Sequence, residues 1–209
     1  MDVYIKNNEH VFIPGMTQSG KTFLAEMYLM NVTPTVYVLD TKGLFDFTLI
    51  PSDKKDIIYN FADLDSTKTK RVIYKPVHQE LNKEYYEKFF EYCLSHAPCI
   101  AVVDEVMQVC DNPFDMTQSY KGILTRGMQL GVAVWSLTQR PSQIPRLIMS
   151  ESTHYFVFKL NDTVDREKLS KQTGYKEFLD KIPKRYFLYY NTVEGDEPEL
   201  GTLKPKRED

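Results

Sequence analysis

The sequence predicts an α/β protein, a mostly parallel central sheet flanked by helices on both faces, on three observations. Short apolar runs rich in β-branched and aromatic residues alternate with helix-favouring stretches along most of the chain. Two of these runs, Cys99 to Val103 and Val132 to Leu137, are apolar throughout, as strands are when a parallel sheet buries both of its faces. A glycine-containing segment, GMTQSGKT from Gly15 to Thr22, separates the first run from the first helical stretch, so the chain opens as strand, loop, helix.

Val11 to Ile13 forms the first run and stops at Pro14-Gly15; Lys21 to Met30 is the helix after it. Thr35 to Leu39, between Pro34 and Asp40, reads as a second buried strand, and Asp56 to Tyr59 and Arg71 to Tyr74 as two more. From Asn82 to His96 the apolar positions Tyr85, Phe89, Tyr92 and Cys93 recur at helical spacing with charges between them, which marks an amphipathic helix whose aromatic stripe faces the core. Cys99 to Val103 follows and ends in Asp104-Glu105. Thr117 to Leu130 is helical and stops at Gly131, and Val132 to Leu137 is a strand ending in Thr138-Gln139. A strand at Tyr155 to Lys159, a helix near Asp165 to Gln172 and a strand at Tyr186 to Tyr190 complete the series. Crossovers between parallel strands are expected to be right-handed.

At 209 residues the chain is expected to be one domain, residues 1–202, with the charged tail 203–209 (LKPKRED) loose. Hydrophobic residues at 42% and charged residues at 26% match a soluble globular protein. No apolar run reaches the ~18–20 residues of a membrane span and the start has no signal-peptide layout, so an intracellular protein is expected. Cys93, Cys99 and Cys110 form an odd set without metal-site or disulfide spacing, and the four histidines are scattered. Cys99 reads as a small core hydrophobe. The net charge of −3 excludes a broadly basic nucleic-acid footprint; any such contact must be local.

The spacing Gly15-x-x-x-x-Gly20-Lys21-Thr22 carries the chemistry. Backbone amides of Gly15, Met16, Thr17, Gln18, Ser19 and Gly20 can close around phosphate oxygens only where no Cβ intervenes, and the following helix points its positive end at the anion. Lys21 then reaches the β and γ phosphates and the Thr22 hydroxyl holds Mg²⁺. Mg²⁺ also wants a carboxylate, and Asp104 supplies one at the end of an apolar strand. Glu105 beside it is placed to polarise the attacking water. Gln139, at the end of the next strand, is a candidate contact for the γ-phosphate or the water. Arg126, on the intervening helix, is a candidate for completing a neighbour's site in trans, with Arg140 and Arg146 in reserve. The ligands expected are ATP and Mg²⁺.

Three blocks, GMTQSGKT, CIAVVDE (Cys99 to Glu105) and TRGMQLGVAVWSLTQRPSQIP (Thr125 to Pro145), resemble the FtsK/HerA superfamily of DNA-translocating ATPases. The short length is similar to that of the genome-packaging ATPases of tailless internal-membrane double-stranded DNA viruses. The resemblance implies a RecA-like P-loop NTPase core that assembles into a homo-oligomeric ring, expected to be a hexamer, around double-stranded DNA. It gives Lys21, Thr22, Asp104, Glu105 and Gln139 the nucleotide roles and Arg126 the finger in trans. It also implies a place in the host-cell cytoplasm, with the virion or procapsid vertex and its proteins as candidate partners. Lys121, the loop Gln108 to Tyr120 and the cluster Lys181, Lys184, Arg185 are candidate pore cations and surfaces. Two alternatives share the phosphate loop: a small-molecule phosphotransferase and a nucleotide switch. For the switch, Asn82-Lys83-Glu84-Tyr85 fails the guanine-reading pattern at its fourth position.

Overall fold

Successive residues of each central strand point to opposite faces, and here both faces are apolar. In the computed structural model, which describes residues 3–203, Val11 and Ile13 enter one core while Phe12 enters the other. Ile100 and Val102 part from Cys99, Ala101 and Val103 in the same way, as do Ala133 and Trp135 from Val132 and Val134. Helices must therefore cover both sides.

The elements in chain order are β1 (Val11–Pro14), α1 (Lys21–Leu29), β2 (Thr35–Leu39), β3 (Asp56–Ile58), β4 (Arg71–Tyr74), α2 (Lys83–Ser95), β5 (Cys99–Val103), α3 (Val106–Val109), α4 (Gln118–Leu130), β6 (Val132–Thr138), α5 (Arg146–Ser150), β7 (His154–Phe158), α6 (Thr163–Thr173), β8 (Tyr186–Asn191) and β9 (Glu199–Thr202). Among the described residues they form one sheet in the order β3-β4-β2-β5-β6-β1-β7-β8-β9. The strands from β3 to β7 in that order are parallel, and β8 and β9 close the edge antiparallel. Helix α1 packs on one face through Leu24, Ala25 and Leu29. The other face is covered by α2, α4 and α6 through Phe89, Phe90, Ile123, Leu124 and Leu169. No helix among the described residues is long and apolar enough to cross a membrane. Of the tail expected at 203–209, residues 204–209 lie outside the described residues.

Three sequence expectations need correction. The inward stripe of α2 is Tyr86, Phe89, Phe90 and Cys93, rotated from the one expected. Tyr85 and Tyr92 are only half-buried, and Tyr92 stacks on His96 with ring centroids 3.9 Å apart. The rotation arises because α2 packs against α4 as well as against the sheet. Phe90 lies flat on Tyr120 at 4.4 Å, so the buried arc is wider than a single a/d stripe. Strand β9 was not expected. Its sequence ELGT carries no apolar run, and it is held as an edge by antiparallel pairing with β8. Helices α3 and α5, of four and five residues, are too short to show a period in sequence.

Candidate nucleotide-binding site

Strand β1 lies between β6 and β7, and the chain leaving it is tied to both neighbours. The Gly15 amide donates to the Thr138 carbonyl at 3.0 Å and the Met16 amide to the Lys159 carbonyl at 2.8 Å. That close passage explains Gly15, where a Cβ would stand 2.5 Å from the Cβ of Phe158 and 2.8 Å from Ser19 Oγ. Gly20 turns the loop into α1 at φ +112°, in the left-handed region that favours glycine. The amides of Gly20, Lys21 and Thr22 have no hydrogen-bond partner among the described residues, and the buried Ser19 Oγ has none either. Lys21 Nζ folds back onto the loop, donating to the carbonyls of Gly15 at 2.6 Å and Met16 at 3.0 Å. Burial pushes its pKa down to about 8 against the opposing pull of Glu105 and Asp104. Unpaired amides at a helix start, an orphaned hydroxyl and a buried ammonium fit a polyphosphate.

Because β6 stands between β1 and β5, the ends of all three strands meet. Thr22 Oγ1 donates to Asp104 Oδ1 at 3.3 Å, a pair of hard oxygens that fits Mg²⁺ together with phosphate oxygens. Burial, and next the nearby Asp40, raises the Asp104 carboxyl to about 6, with Lys42 and Lys21 pulling the other way. Glu105 is buried, and both of its oxygens are engaged. Its Oε1 accepts from Thr138 Oγ1 at 3.0 Å and from the Gln139 amide at 3.3 Å; its Oε2 accepts from Lys42 Nζ at 2.5 Å. The Gln139 side chain accepts from Thr17 Oγ1 at 2.9 Å, bridging the β6 end to the phosphate loop. Every sequence-predicted residue of the nucleotide site except Arg126 is thus brought to one place.

Lys42 is the member that sequence reasoning missed. It stands three residues beyond the end of β2, and only the pairing of β2 with β5 carries it to Glu105. The loop that presents it is built around two buried carboxylates. Asp40 accepts from the amides of Leu44 and Phe45 at 3.2 and 2.9 Å. Glu26 of α1 accepts from the amides of Asp46, Phe47 and Thr48 at 3.2, 2.8 and 3.1 Å and from the Thr48 hydroxyl at 3.0 Å. Asp40, a charged residue at a strand end, was visible in the sequence as a boundary; its partners lie four and five residues on and were not.

No family model matches the chain, and no curated protein matches it. Solved structures do. The genome packaging NTPase B204 from Sulfolobus turreted icosahedral virus 2, solved with sulfate, superposes with a TM-score of 0.77 at 16% identity over 98% of this chain and 100% of that one. The DNA-packaging ATPase B204 of Sulfolobus Turreted Icosahedral Virus gives 0.72 at 18% identity, covering 95% and 98%. VirB4 of Thermoanaerobacter pseudethanolicus gives 0.72 at 9% identity, covering 95% and 90%. The chain shares the α/β P-loop ATPase fold of these structures. The agreement extends past the parallel strands to nearly the full length of each chain.

On this P-loop ATPase fold, Arg126 lies on the exposed side of α4, with no hydrogen bond or ion pair among the described residues. Arg140, held in reserve for the same role, is committed within its own chain: its Nη2 donates to Asp162 at 2.6 Å and its Nε to Asp165 at 2.9 Å. Arg146 is exposed and donates to Gln172 at 2.9 Å. Lys121, Lys181, Lys184 and Arg185 are all exposed. The segment Gln108 to Tyr120 is not one free loop. Tyr120 is fully buried in α4 with its hydroxyl 2.7 Å from Ser136, while Phe114 between the helices is 98% exposed.

Proposed function

We propose that the chain is an ATP-hydrolysing motor that moves double-stranded DNA as a homo-oligomeric ring, expected to be a hexamer, and packages a viral genome into a preformed capsid. One observation carries the reading: Asp104 and Glu105 from the end of β5 and Gln139 from the end of β6 converge on the phosphate loop and its Thr22. The likeness to packaging NTPases over nearly the whole chain supports the motor half.

In this reading the loop Gly15 to Thr22 binds the ATP phosphates through backbone amides, and Lys21 leaves its two carbonyl partners for the β and γ phosphates. Thr22 and Asp104 hold Mg²⁺, which screens the phosphate charge when bound. Glu105 orients and polarises the attacking water, and Gln139, already joined to Thr17, reports whether the γ-phosphate is intact. Arg126, free on α4, enters the neighbouring subunit's site and neutralises transition-state charge, an effect worth ~10³–10⁵ in rate where it occurs. DNA contacts are confined to phosphates, so binding is independent of sequence and falls steeply with salt. The host-cell cytoplasm, and a capsid vertex there, is the corresponding place of action.

The test is hydrolysis of Mg²⁺-ATP by purified protein with and without duplex DNA, alongside electron microscopy with a non-hydrolysable analogue. DNA-stimulated turnover that is lost in Lys21→Ala and Glu105→Gln, together with rings, is the expected result. Turnover indifferent to DNA from a protein that stays monomeric refutes the motor. Mixing Arg126→Ala with Lys21→Ala subunits restores part of the activity if the arginine acts in trans, because one of the two orientations of a mixed interface pairs an intact loop with an intact arginine.

A further inference from the structure

The ion pair between Lys42 and Glu105 occupies the one residue proposed to act on water. Glu105 Oε2 is taken by Lys42 at 2.5 Å and Oε1 by Thr138 and Gln139. Oε1 already accepts two hydrogen bonds, and on Oε2 the Lys42 ammonium fills one of two acceptor sites and neutralises the charge that would polarise a water on the other, so activating a water there calls for the Lys42 contact to break. The contacts to Oε1 come from β6 and its first following residue, a central strand. The contact to Oε2 comes from a lysine side chain that is 26% exposed, on a four-carbon stem with rotatable donors. Lys42 is the contact free to move.

Where it would move is set by charge. Lys42 lies close enough to the phosphate loop that its charge destabilises the ammonium of Lys21 and stabilises the carboxylate of Asp104. A triphosphate in the loop brings new negative charge to this neighbourhood, and its terminal group competes with Glu105 for the ammonium. The backbone under Lys42 is braced for such an exchange. Five successive amides, from Leu44 to Thr48, are held by Asp40 and Glu26, and Lys75 adds an ion pair to Asp40 at 3.6 Å and a bond to the Gly43 carbonyl at 3.2 Å. Glu26 belongs to α1, the helix that begins at the phosphate loop. The Lys42 loop and the phosphate loop are thus fastened to the same helix, and the side chain can swing while its anchor stays.

From this geometry we infer that Lys42 is a γ-phosphate ligand and the latch on Glu105: it holds the carboxylate when no γ-phosphate is present, and transfers to the γ-phosphate when a triphosphate binds, releasing Glu105 Oε2 toward water. Lys42 then discriminates triphosphate from diphosphate, since a diphosphate offers nothing to draw it off Glu105. The inference rests on the proposed nucleotide site but not on hydrolysis or on DNA.

The test is made where Glu105 carries no charge. In Glu105→Gln protein, the dissociation constants for ATPγS and ADP are measured by calorimetry with Mg²⁺, then again in Glu105→Gln with Lys42→Met. The inference expects the second substitution to weaken ATPγS about tenfold while ADP stays within about twofold, and Lys42→Arg in the same background to keep most of the triphosphate preference. A lysine serving only as the ion-pair partner of Glu105 has no carboxylate left to neutralise in this background. An unchanged ratio of the two affinities therefore overturns the inference, as does an equal loss for both nucleotides in a variant that melts at the parent temperature. Absent hydrolysis in the wild type with a lost triphosphate preference in the double variant would refute the ATPase reading and leave the latch standing. Binding of neither nucleotide to the parent protein would refute both.

Discussion

At the carboxyl ends of β1, β5 and β6 the protein buries Lys21, Asp104 and Glu105, and at the amino ends of β1 and β7 it buries Glu9, His10 and His154. The two sets differ in how they are completed. At the amino end Glu9 and His154 close on one another: His154 Nε2 lies 2.9 Å from Glu9 Oε2 and its Nδ1 2.9 Å from the Tyr189 hydroxyl, while the Lys6 amide donates to Glu9 at 2.9 Å. Burial would raise the Glu9 carboxyl, but the bonds from His154 and Lys6 outweigh it and hold it below its ordinary value. At the carboxyl end burial wins, and the Asp104 carboxyl stands at about 6 and the Lys21 ammonium at about 8. Charge that is fully partnered stabilises a fold; charge held ready for a ligand costs stability until the ligand arrives.

The contrast is tested first by Lys21→Ala. Hydrolysis should fall by ~10²–10³, with urea unfolding changed by less than about 1 kcal/mol. A large loss of stability instead would mean that the phosphate loop, like the amino end, is a structural network.

The pH dependence separates the ends by sign. His10 accepts the Val134 amide at 3.0 Å and is buried, so its pKa falls from 6.5 to about 4. The unfolded chain takes up a proton that the folded chain refuses, and stability is lost as pH falls from 6.5 toward 4, by up to about 3 kcal/mol. Asp104, raised from 3.8 to about 6, acts in the opposite direction, gaining stability as pH falls through 6. Unfolding measured from pH 7 to 4 should lose the first slope in His10→Asn and the second in Asp104→Asn.

Glu9→Ala should destabilise the protein by about 2–3 kcal/mol, because it leaves the Lys6 amide and His154 without an acceptor. Its hydrolysis rate should stay within twofold of wild type. Asp104→Asn gives the most telling sign: at pH 7, without nucleotide, it should raise the unfolding free energy by ~1–2 kcal/mol while removing Mg²⁺-dependent turnover. Destabilisation by Asp104→Asn would erase the distinction between the two ends.

Much of the carboxyl end could be read from the chain because its residues sit in local patterns. Gly15 to Thr22 is contiguous, and Asp104-Glu105 and Gln139 each follow an apolar run directly. The amino end left no such trace: Glu9 and His154 are 145 residues apart and meet only because β1 pairs with β7. The rotated stripe of α2 shows the same limit at short range. Tyr85 and Tyr86 are equally apolar in sequence, and it is α4 that draws Tyr86 and Phe90 inward.

By itself, then, the sequence determined the alternation of strands and helices, the phosphate loop and the residue types at the strand ends, because each depends on neighbours within a few positions. Strand order was decided only by the tertiary structure. Placing β6 between β1 and β5 set Gln139 against Thr17, and pairing β2 with β5 delivered Lys42 to Glu105. The physical reason is that a parallel strand's neighbours are chosen by packing across the whole sheet, while its own sequence specifies only that both of its faces be buried.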